Sequence, residues 1–336
     1  MRGSMKFIGL IAAAIGMATP ASGQAIVEAV QRGDSLLAQG QPKQALAEYE
    51  KARELGAGSA IFLNRLASLY MQTGGYRQAA ESLQQSLAED PRQLPVYSAL
   101  GEAFLAMSQL DSSIFYVEQA SILAPSSTKV HSTLGYLYMQ AGQSERARER
   151  LDRALALDAK NAEAYRLYGY YYAEKDSVDQ AIEQYQKLAE LSPDNVEAYN
   201  NIAFLLAGTG RYAAALEYYK RAKDQAQDPY LAQAITAKIE EVQAVLAGEM
   251  RARYILVETE ASALEILEKI AQGADFSQLA QQLSIAPNAN QGGDLGFFGP
   301  GELMPEIEEV VVKLKVGELS PVVELPVGYI VVQRLN

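Results

Sequence analysis

Small and bulky residues recur along this chain with a period of 34 residues between residues 26 and 228. A small residue marks each of six units, and it stands at Gly33, Ala67, Gly101, Gly135, Gly169 and Ala203. Bulky residues follow sixteen positions later, at Tyr49, Leu83, Val117, Leu151, Tyr185 and Tyr219. This pattern predicts two antiparallel helices per unit, because small residues let the helices approach closely and bulky residues fill the space beside them. Proline at residues 91, 125 and 193 then ends the second helix of three units.

Residues 229–250 carry one further helical pattern. Apolar residues recur there at steps of three and four from Leu231 to Leu246, which gives the predicted helix a single apolar face. We expect this helix to cap the last unit, whose end would otherwise be uncovered. Gly248 marks its end and the boundary to a second domain.

From residue 251 the apolar residues follow a period of two instead. The pattern predicts a strand at 252–258, helices at 260–272 and 276–283, a loop at 286–301 and a helix at 304–314. Two β-rich segments joined at Pro326–Gly328 end the chain. An antiparallel sheet covered by helices is the usual packing for that order. The predicted fold is therefore mainly α, with six helix pairs followed by a small α+β domain over 251–336.

The 34-residue helix–turn–helix period resembles the tetratricopeptide repeat, and the resemblance covers six units without insertion or deletion. It implies an α-solenoid in which the first helices of the units line a concave surface. The groove-facing positions of the family correspond here to Asn64, Met71, Tyr136, Met139, Arg166, Tyr170, Asn200 and Phe204. The resemblance favours a groove for an extended peptide, with amides and adaptable apolar side chains as contacts. The alternative is that the aromatic residues pack against neighbouring repeats.

The C-terminal domain resembles the parvulin-type peptidyl-prolyl isomerases. The resemblance is carried by "ARYILVETEASALEILEKIAQGADFSQLAQQLS", by "GGDLGFFGPGELMPEIEEVVVKLKVGELSPVV" and by "GYIVVQ". It implies a site on one face of the sheet, beneath the Gly-rich segment. Active members of the family have histidine in the first and last strands, a cysteine or aspartate after the second helix, and an apolar shelf that holds the substrate proline.

The family-equivalent positions are occupied here by different residues. The two histidines correspond to Tyr254 and Ile330, and the cysteine or aspartate corresponds to Ala286. The proline pocket corresponds to Phe298, Leu303 and Ile307. The resemblance therefore implies a site that keeps its apolar half and has lost most of its polar half. We expect isomerase activity that is weak or absent.

The charge and the rarity of histidine and cysteine exclude several other functions. A formal charge of −12 without a Lys/Arg-rich stripe argues against nucleic acid or an acidic membrane surface as a partner. Zero cysteines exclude a Cys-based metal site, and one histidine, His131, leaves almost nothing for a His-rich metal site or a Ser/His/Asp triad. We predict neither a cofactor nor a metal.

Residues 1–23 are predicted to form a leader and secretory signal peptide. Lys6 precedes an apolar run from Phe7 to Met17, and small residues follow up to a cleavage position near Gly23. The apolar run is too short to span a bilayer, which requires about 20 residues, so we expect no integral membrane span. The protein is therefore expected to be exported, to the periplasm or another extracytoplasmic space.

Three functions are compatible with these features. The favoured one is an exported peptide-binding, chaperone-like scaffold whose repeats recruit a protein partner and whose last domain binds proline-containing or unfolded segments. One alternative is an active peptidyl-prolyl isomerase that assists the folding of exported proteins. The other is a structural assembly factor of an envelope or secretion complex. The missing histidines separate the binder from the enzyme, and binding of unfolded peptides separates the binder from the assembly factor.

Overall fold

A computed structural model describes residues 20–336 of the chain. Residues 1–19 of the predicted signal peptide lie outside the described residues, and the predicted cleavage position near Gly23 falls within the first described helix. The chain divides into two compact units: the first ends at Leu191, and the second spans Ser192–Asn336.

The first unit consists of helices that pack in consecutive pairs. They are α1 (Pro20–Ala38), α2 (Pro42–Glu54), α3 (Ala60–Thr73), α4 (Tyr76–Glu89), α5 (Leu94–Ala106), α6 (Leu110–Leu123), α7 (Thr128–Gln140), α8 (Ser144–Leu157), α9 (Ala162–Glu174) and α10 (Val178–Leu191). Ser59, Ser127 and Asn161 cap helices α3, α7 and α9, since their side chains accept hydrogen bonds from the first backbone N–H groups. The predicted helix pairs of residues 26–191 are confirmed.

Close approach of the two helices in a pair depends on the small residue of each unit. A methyl group on Gly135 would lie 2.6 Å from Leu151 Cδ2, and one on Gly33 would lie 2.6 Å from Tyr49 Cδ2. Leu151 and Tyr49 are the bulky residues sixteen positions later, and both are fully buried. The predicted pairing of a small residue with a bulky one is therefore confirmed at these two units.

The turn inside each helix pair repeats the same backbone conformation. One residue per turn has a positive φ, and these residues are 34 positions apart: Gly40, Gly74, Ser108, Gly142, Asp176 and Gly210. Glycine adopts this conformation without steric cost, whereas Ser108 and Asp176 do not. The period therefore extends to the turns, which the small/bulky pattern did not reveal.

The second unit begins with three helices and ends with the sheet domain. The helices are α11 (Val196–Gly208), α12 (Tyr212–Gln225) and α13 (Pro229–Leu246). Helices α11 and α12 form the sixth helix pair, and α13 packs on α12 with Ile235, Ile239 and Val242 buried. Gly248 follows α13 with a φ of +82°, in agreement with the predicted end of this helix.

The sheet domain contains four antiparallel strands in the order β2-β1-β4-β3. Its elements are β1 (Met250–Val257), α14 (Glu260–Ala271), α15 (Phe276–Leu283), a 3-10 turn (Ala289–Gln291), β2 (Asp294–Phe298), α16 (Pro305–Lys313), β3 (Val323–Leu325) and β4 (Gly328–Arg334). The prediction of a small antiparallel α+β domain is confirmed. The predicted loop at 286–301 is wrong in one part, because residues 294–298 form β2 and pair with β1.

Candidate functional site

The candidate site of the sheet domain lies on one face of β1 and β4. Side chains alternate along a strand, so Ala252, Tyr254 and Leu256 point into one apolar cluster while Ile255 and Val257 pack into another. In the register of the sheet Tyr254 pairs with Val332, and Ile330 pairs with Leu256. Tyr254 and Ile330 are therefore diagonal neighbours on the same face, not direct cross-strand partners.

Ala286 reaches this face because the segment after α15 is tied to β1. The Ile285 N–H donates to the Leu256 carbonyl oxygen at 2.8 Å. The Ser284 hydroxyl oxygen accepts from the Leu256 N–H at 3.1 Å and from the Ala286 N–H at 3.2 Å. These hydrogen bonds place the Ala286 methyl group inside the cluster of the site face, where it is buried.

The Gly-Gly-Asp motif brings β2 against the backbone of Tyr254. The Tyr254 N–H donates to the Gly293 carbonyl oxygen at 3.0 Å. A side chain on Gly293, which has a φ of +80°, would overlap the Tyr254 carbonyl oxygen. Only glycine fits this position, since both the conformation and the space exclude a Cβ atom.

Asp294 fixes the start of β2 through Arg251. The Arg251 Nε donates to Asp294 Oδ1 at 3.2 Å, and Arg251 Nη2 donates to Asp294 Oδ2. Burial opposes ionisation of Asp294, but the hydrogen bonds from Arg251 and from the Gly296 N–H outweigh it and hold the pKa of this carboxyl below its ordinary value. The opposite charges of Arg251 and Asp294 neutralise each other. The family resemblance did not predict a role for this pair.

Carboxylates fix the backbone that leads into α16, where the proline-pocket residues Leu303 and Ile307 lie. The Glu302 carboxylate accepts from the Gly299 N–H at 2.9 Å, and the Glu308 carboxylate accepts from the Gly301 N–H at 2.9 Å. The Ile307 N–H donates to the Met304 carbonyl oxygen at 3.0 Å and begins the helix. Ile307 is thereby directed into the cluster.

The structure brings all six family-equivalent positions into one apolar cluster. Ala286, Phe298, Ile307 and Ile330 are buried members of it, and Tyr254 and Leu303 are partly buried against it. Phe298 is 2% exposed and Ile307 is 5% exposed, so both belong to the core of the domain in this conformation. Tyr254 and Leu303 are the two of the six that solvent reaches appreciably.

Tyr254 supplies the polar group of this cluster. Its phenol makes no hydrogen bond to any residue within 20–336, and burial alone raises its pKa above the ordinary value. A neutral phenol in an apolar surrounding can donate a hydrogen bond to a ligand carbonyl. It cannot act as a base near neutral pH.

Six of the predicted groove residues lie in the first unit, and neighbouring repeats engage most of them. Asn64 Nδ2 donates to Gln93 Oε1 at 2.7 Å, and Gln93 directly precedes α5 of the next repeat. Met71, Tyr136 and Met139 pack partly buried against core clusters. Tyr136 and Arg166 also line one concavity between α7 and α9. The structure thus brings Tyr136 and Arg166 together.

Two of the remaining groove candidates, Tyr170 and Phe204, are exposed. Tyr170 is 37% exposed and packs edge-on against Tyr185 at 6.0 Å between ring centroids, with the Arg166 guanidinium 5.5 Å from its ring centroid. Phe204 on α11, in the second unit, is 65% exposed. Asn200, on the same helix, is partly buried.

Metal-binding and membrane-spanning features are absent from residues 20–336. That range contains no group of three or more His, Cys, Asp or Glu side chains arranged to hold a metal ion. Helices long and apolar enough to cross a bilayer are absent from it as well. His131 is 4% exposed, and its Nε2 lies 3.0 Å from the Pro125 carbonyl oxygen, so it is part of the packing.

These features define a helical-repeat protein with a rotamase-type domain, and comparisons with known families agree. Residues 255–336 match the PPIC-type PPIASE domain of rotamases. Residues 36–103, 132–195 and 172–239 match tetratricopeptide repeat models. The chain therefore contains tetratricopeptide repeats and a C-terminal rotamase domain.

Individual relatives match each part separately. The Foldase protein PrsA of Geobacillus kaustophilus is 46% identical over 86 residues, which are 25% of this chain and 31% of that protein. The Foldase protein PrsA of Halalkalibacterium halodurans is 44% identical over 82 residues, or 24% and 25% of the two chains. The matched region thus spans a third or less of these relatives. A crystal structure of a tetratricopeptide repeat protein from Parabacteroides merdae shares the fold, with a TM-score of 0.57 and 15% identity over 75% of this chain and 94% of that one.

Proposed function

We propose that the chain is an exported assistant of protein folding that binds polypeptide segments and catalyses proline isomerisation weakly or not at all. In this proposal the repeats recruit a protein partner, and the rotamase domain binds proline-containing or unfolded segments. Export is part of the proposal and rests on the apolar segment at Phe7–Met17 that follows Lys6. Relatives of the rotamase domain that are named foldases support the role in folding.

The observation that carries the proposal is the chemical composition of the site cluster. Its family-equivalent positions hold four aliphatic residues, one phenylalanine and one tyrosine. Isomerisation of an X–Pro bond breaks no bond and is limited by the amide resonance barrier of about 18–20 kcal/mol. Catalysis requires polar groups that stabilise the twisted amide more than the planar one. Tyr254 offers one such donor, and Ile330 and Ala286 offer none.

An active isomerase that uses Tyr254 is the second candidate. It is favoured by one observation, the hydroxyl that has no partner among the described residues and lies against an apolar cluster. A single hydrogen bond to the substrate carbonyl would bind the planar and twisted amides alike unless it is aimed at the twisted form. Binding without catalysis is therefore the outcome that this chemistry favours.

The proposal predicts that a proline peptide binds at Leu303. A fluorescein-labelled Ala-Leu-Pro-Phe peptide is titrated with the full chain, and binding is followed by fluorescence anisotropy. Leu303→Asp should weaken binding about tenfold, since it places a charge where the proline ring would lose its apolar contact. Val316→Asp is the matched control, because Val316 is 65% exposed and lies outside the cluster. Equal affinity of the Leu303→Asp variant and the wild type would remove the rotamase domain from the proposed function.

A further inference from the structure

Two adjoining concavities lie on the first helices of the third, fourth and fifth repeats, all within the first unit. One, of about 360 Å³, lies between α5 and α7 and has apolar walls that include Leu94, Leu105 and Leu137. The other, of about 640 Å³, lies between α7 and α9. Lys129 and Thr133 line both, so the two concavities lie side by side along α7. Both volumes fall in the range of ligand sites.

The apolar concavity lies where the 34-residue pattern is interrupted. Val117 is the smallest of the six bulky residues, which are tyrosine or leucine in every other unit. Gly101, Ser113 and Val117 all line the concavity. The Ser113 hydroxyl donates to the Gly101 carbonyl oxygen at 2.8 Å, so the polar group at this depth is already satisfied. A Cβ atom on Gly101 would lie 2.4 Å from Val117 Cγ2, so Val117 packs closely on α5. Val117 thus forms part of the wall of the concavity, and the remaining space can take an apolar side chain of a ligand.

The second concavity differs in its charge. Arg166 is paired with Glu163 at 2.6 Å, and the Asp158 carboxylate accepts from the Lys160 N–H at 2.9 Å. The ammonium groups of Lys129 and Lys160 have no ion-pair partner within residues 20–336. Both lysines are exposed in a chain of net charge −12. Glu102 lies on the other side of α7, along the apolar concavity.

We propose that these adjoining concavities bind an extended peptide segment in which an apolar side chain and an acidic side chain lie within a few positions of each other. The apolar side chain enters the space beside Val117, and the acidic side chain lies near Lys129 and Lys160. An extended chain advances about 3.3 Å per residue, so the two side chains belong within a few positions of each other. The inference rests on the proposed peptide-binding function and names the class of segment that the repeats recruit.

A selection experiment tests the sequence preference directly. Random twelve-residue peptides displayed on phage are selected on the immobilised full chain and sequenced. The expected enrichment is an aliphatic residue with Asp or Glu within three positions on either side of it. Enrichment without that arrangement, or enrichment of basic residues instead, overturns the inference.

Variants of the full chain then locate the binding. Val117→Leu introduces the residue found at the same position in the second and fourth units. The larger side chain should reduce the space in the apolar concavity and weaken the binding of an enriched, fluorescein-labelled peptide about tenfold. Lys129→Gln combined with Lys160→Gln should weaken the binding of the same peptide about fivefold and reduce the salt dependence of its affinity. Lys43→Gln with Lys51→Gln on α2 is the matched control and should leave affinity unchanged.

The failure of this inference is distinguishable from the failure of the proposed function. Unchanged affinity in both the Val117 and the lysine variants overturns the inferred site. Proline-peptide binding that still depends on Leu303 would leave the proposed function in place after that result. Loss of binding in the control variant to the same extent would also overturn the site, because the effect would then be one of net charge.

Discussion

Tyrosine side chains are used differently in the two compact units. In the first unit Tyr49 donates to Asp34 and Tyr168 donates to Asp152, each at 2.5 Å, and Tyr138 donates to Glu118. Each of these bonds links two neighbouring helices. In the second unit the Tyr254 hydroxyl meets an apolar cluster and has no partner among the described residues. The phenols of Tyr49, Tyr138 and Tyr168 are thus part of the packing of the repeats. The phenol of Tyr254 remains available to a ligand.

Glycine substitutions should also act differently in the two units, and they give the largest expected effect on stability. Gly293→Ala would force a Cβ atom into the Tyr254 backbone at a positive φ, and we expect it to cost about 3 kcal/mol of local stability. Gly135→Ala meets side-chain atoms of the buried Leu151 and no backbone atom. The overpacking is partly offset by the higher helix propensity of Ala, so this variant should cost about 1 kcal/mol. Hydrogen-exchange mass spectrometry of the full chain, read at β1 and at α7, measures both. Equal losses at the two sites would contradict this account.

Removing single tyrosine hydroxyl groups should give a smaller difference in the free energy of unfolding. Tyr138→Phe deletes the bond to Glu118 and should lower the free energy of unfolding by about 1–2 kcal/mol. Tyr254→Phe deletes no hydrogen bond and should change it by less than about 0.5 kcal/mol. Urea unfolding followed by circular dichroism gives both values. A loss in Tyr254→Phe as large as that in Tyr138→Phe would show that Tyr254 is a structural residue.

Alkaline pH should weaken the repeats through the same tyrosines. Burial, followed by the hydrogen bond to Glu118, raises the pKa of Tyr138 to about 12, against about 10 in an unfolded chain. Burial and hydrogen bonds to Asp34 and Asp152 raise the pKa values of Tyr49 and Tyr168 further. This stabilisation is complete below pH 10 and is lost as the pH rises from 10 toward 12.

Circular dichroism at 222 nm between pH 8 and 12.5 measures that loss. The wild type should lose helicity above pH 10, and Tyr138→Phe should lose less of its remaining stability over the same interval. Tyr254→Phe serves as the comparison and should change the loss of helicity less than Tyr138→Phe does, because Tyr254 lies on a strand of the sheet domain and outside the repeats. An identical pH dependence in Tyr138→Phe and the wild type would exclude Tyr138 as a contributor.

The sequence was sufficient for features that repeat and insufficient for features that depend on tertiary contacts. Gly33 and Tyr49 recur in register with later units, so the helix pairs followed from the period alone. Residues 294–298 were assigned to a loop, because glycines surround them and their pairing with β1 is imposed by Gly293 and by the Arg251–Asp294 pair.

The candidate site was also only partly predictable. The family resemblance placed Tyr254, Ile330 and Ala286 together, and they lie in one cluster. The burial of Phe298 and Ile307 depends on side chains from other elements and could not be foreseen. Val117 had a visible signal, its small size within the repeat pattern, but the concavity that it lines also depends on the neighbouring α7.

Exchange NMR of an X–Pro peptide in the presence of the full chain tests the central claim most directly. We predict cis–trans exchange within about twofold of the rate for the peptide alone, while an active parvulin in a parallel sample accelerates it strongly. The missing polar groups should cost on the order of 100-fold or more in catalysis. Strong acceleration by this chain that disappears in Tyr254→Phe would contradict the account and establish an isomerase built on that hydroxyl.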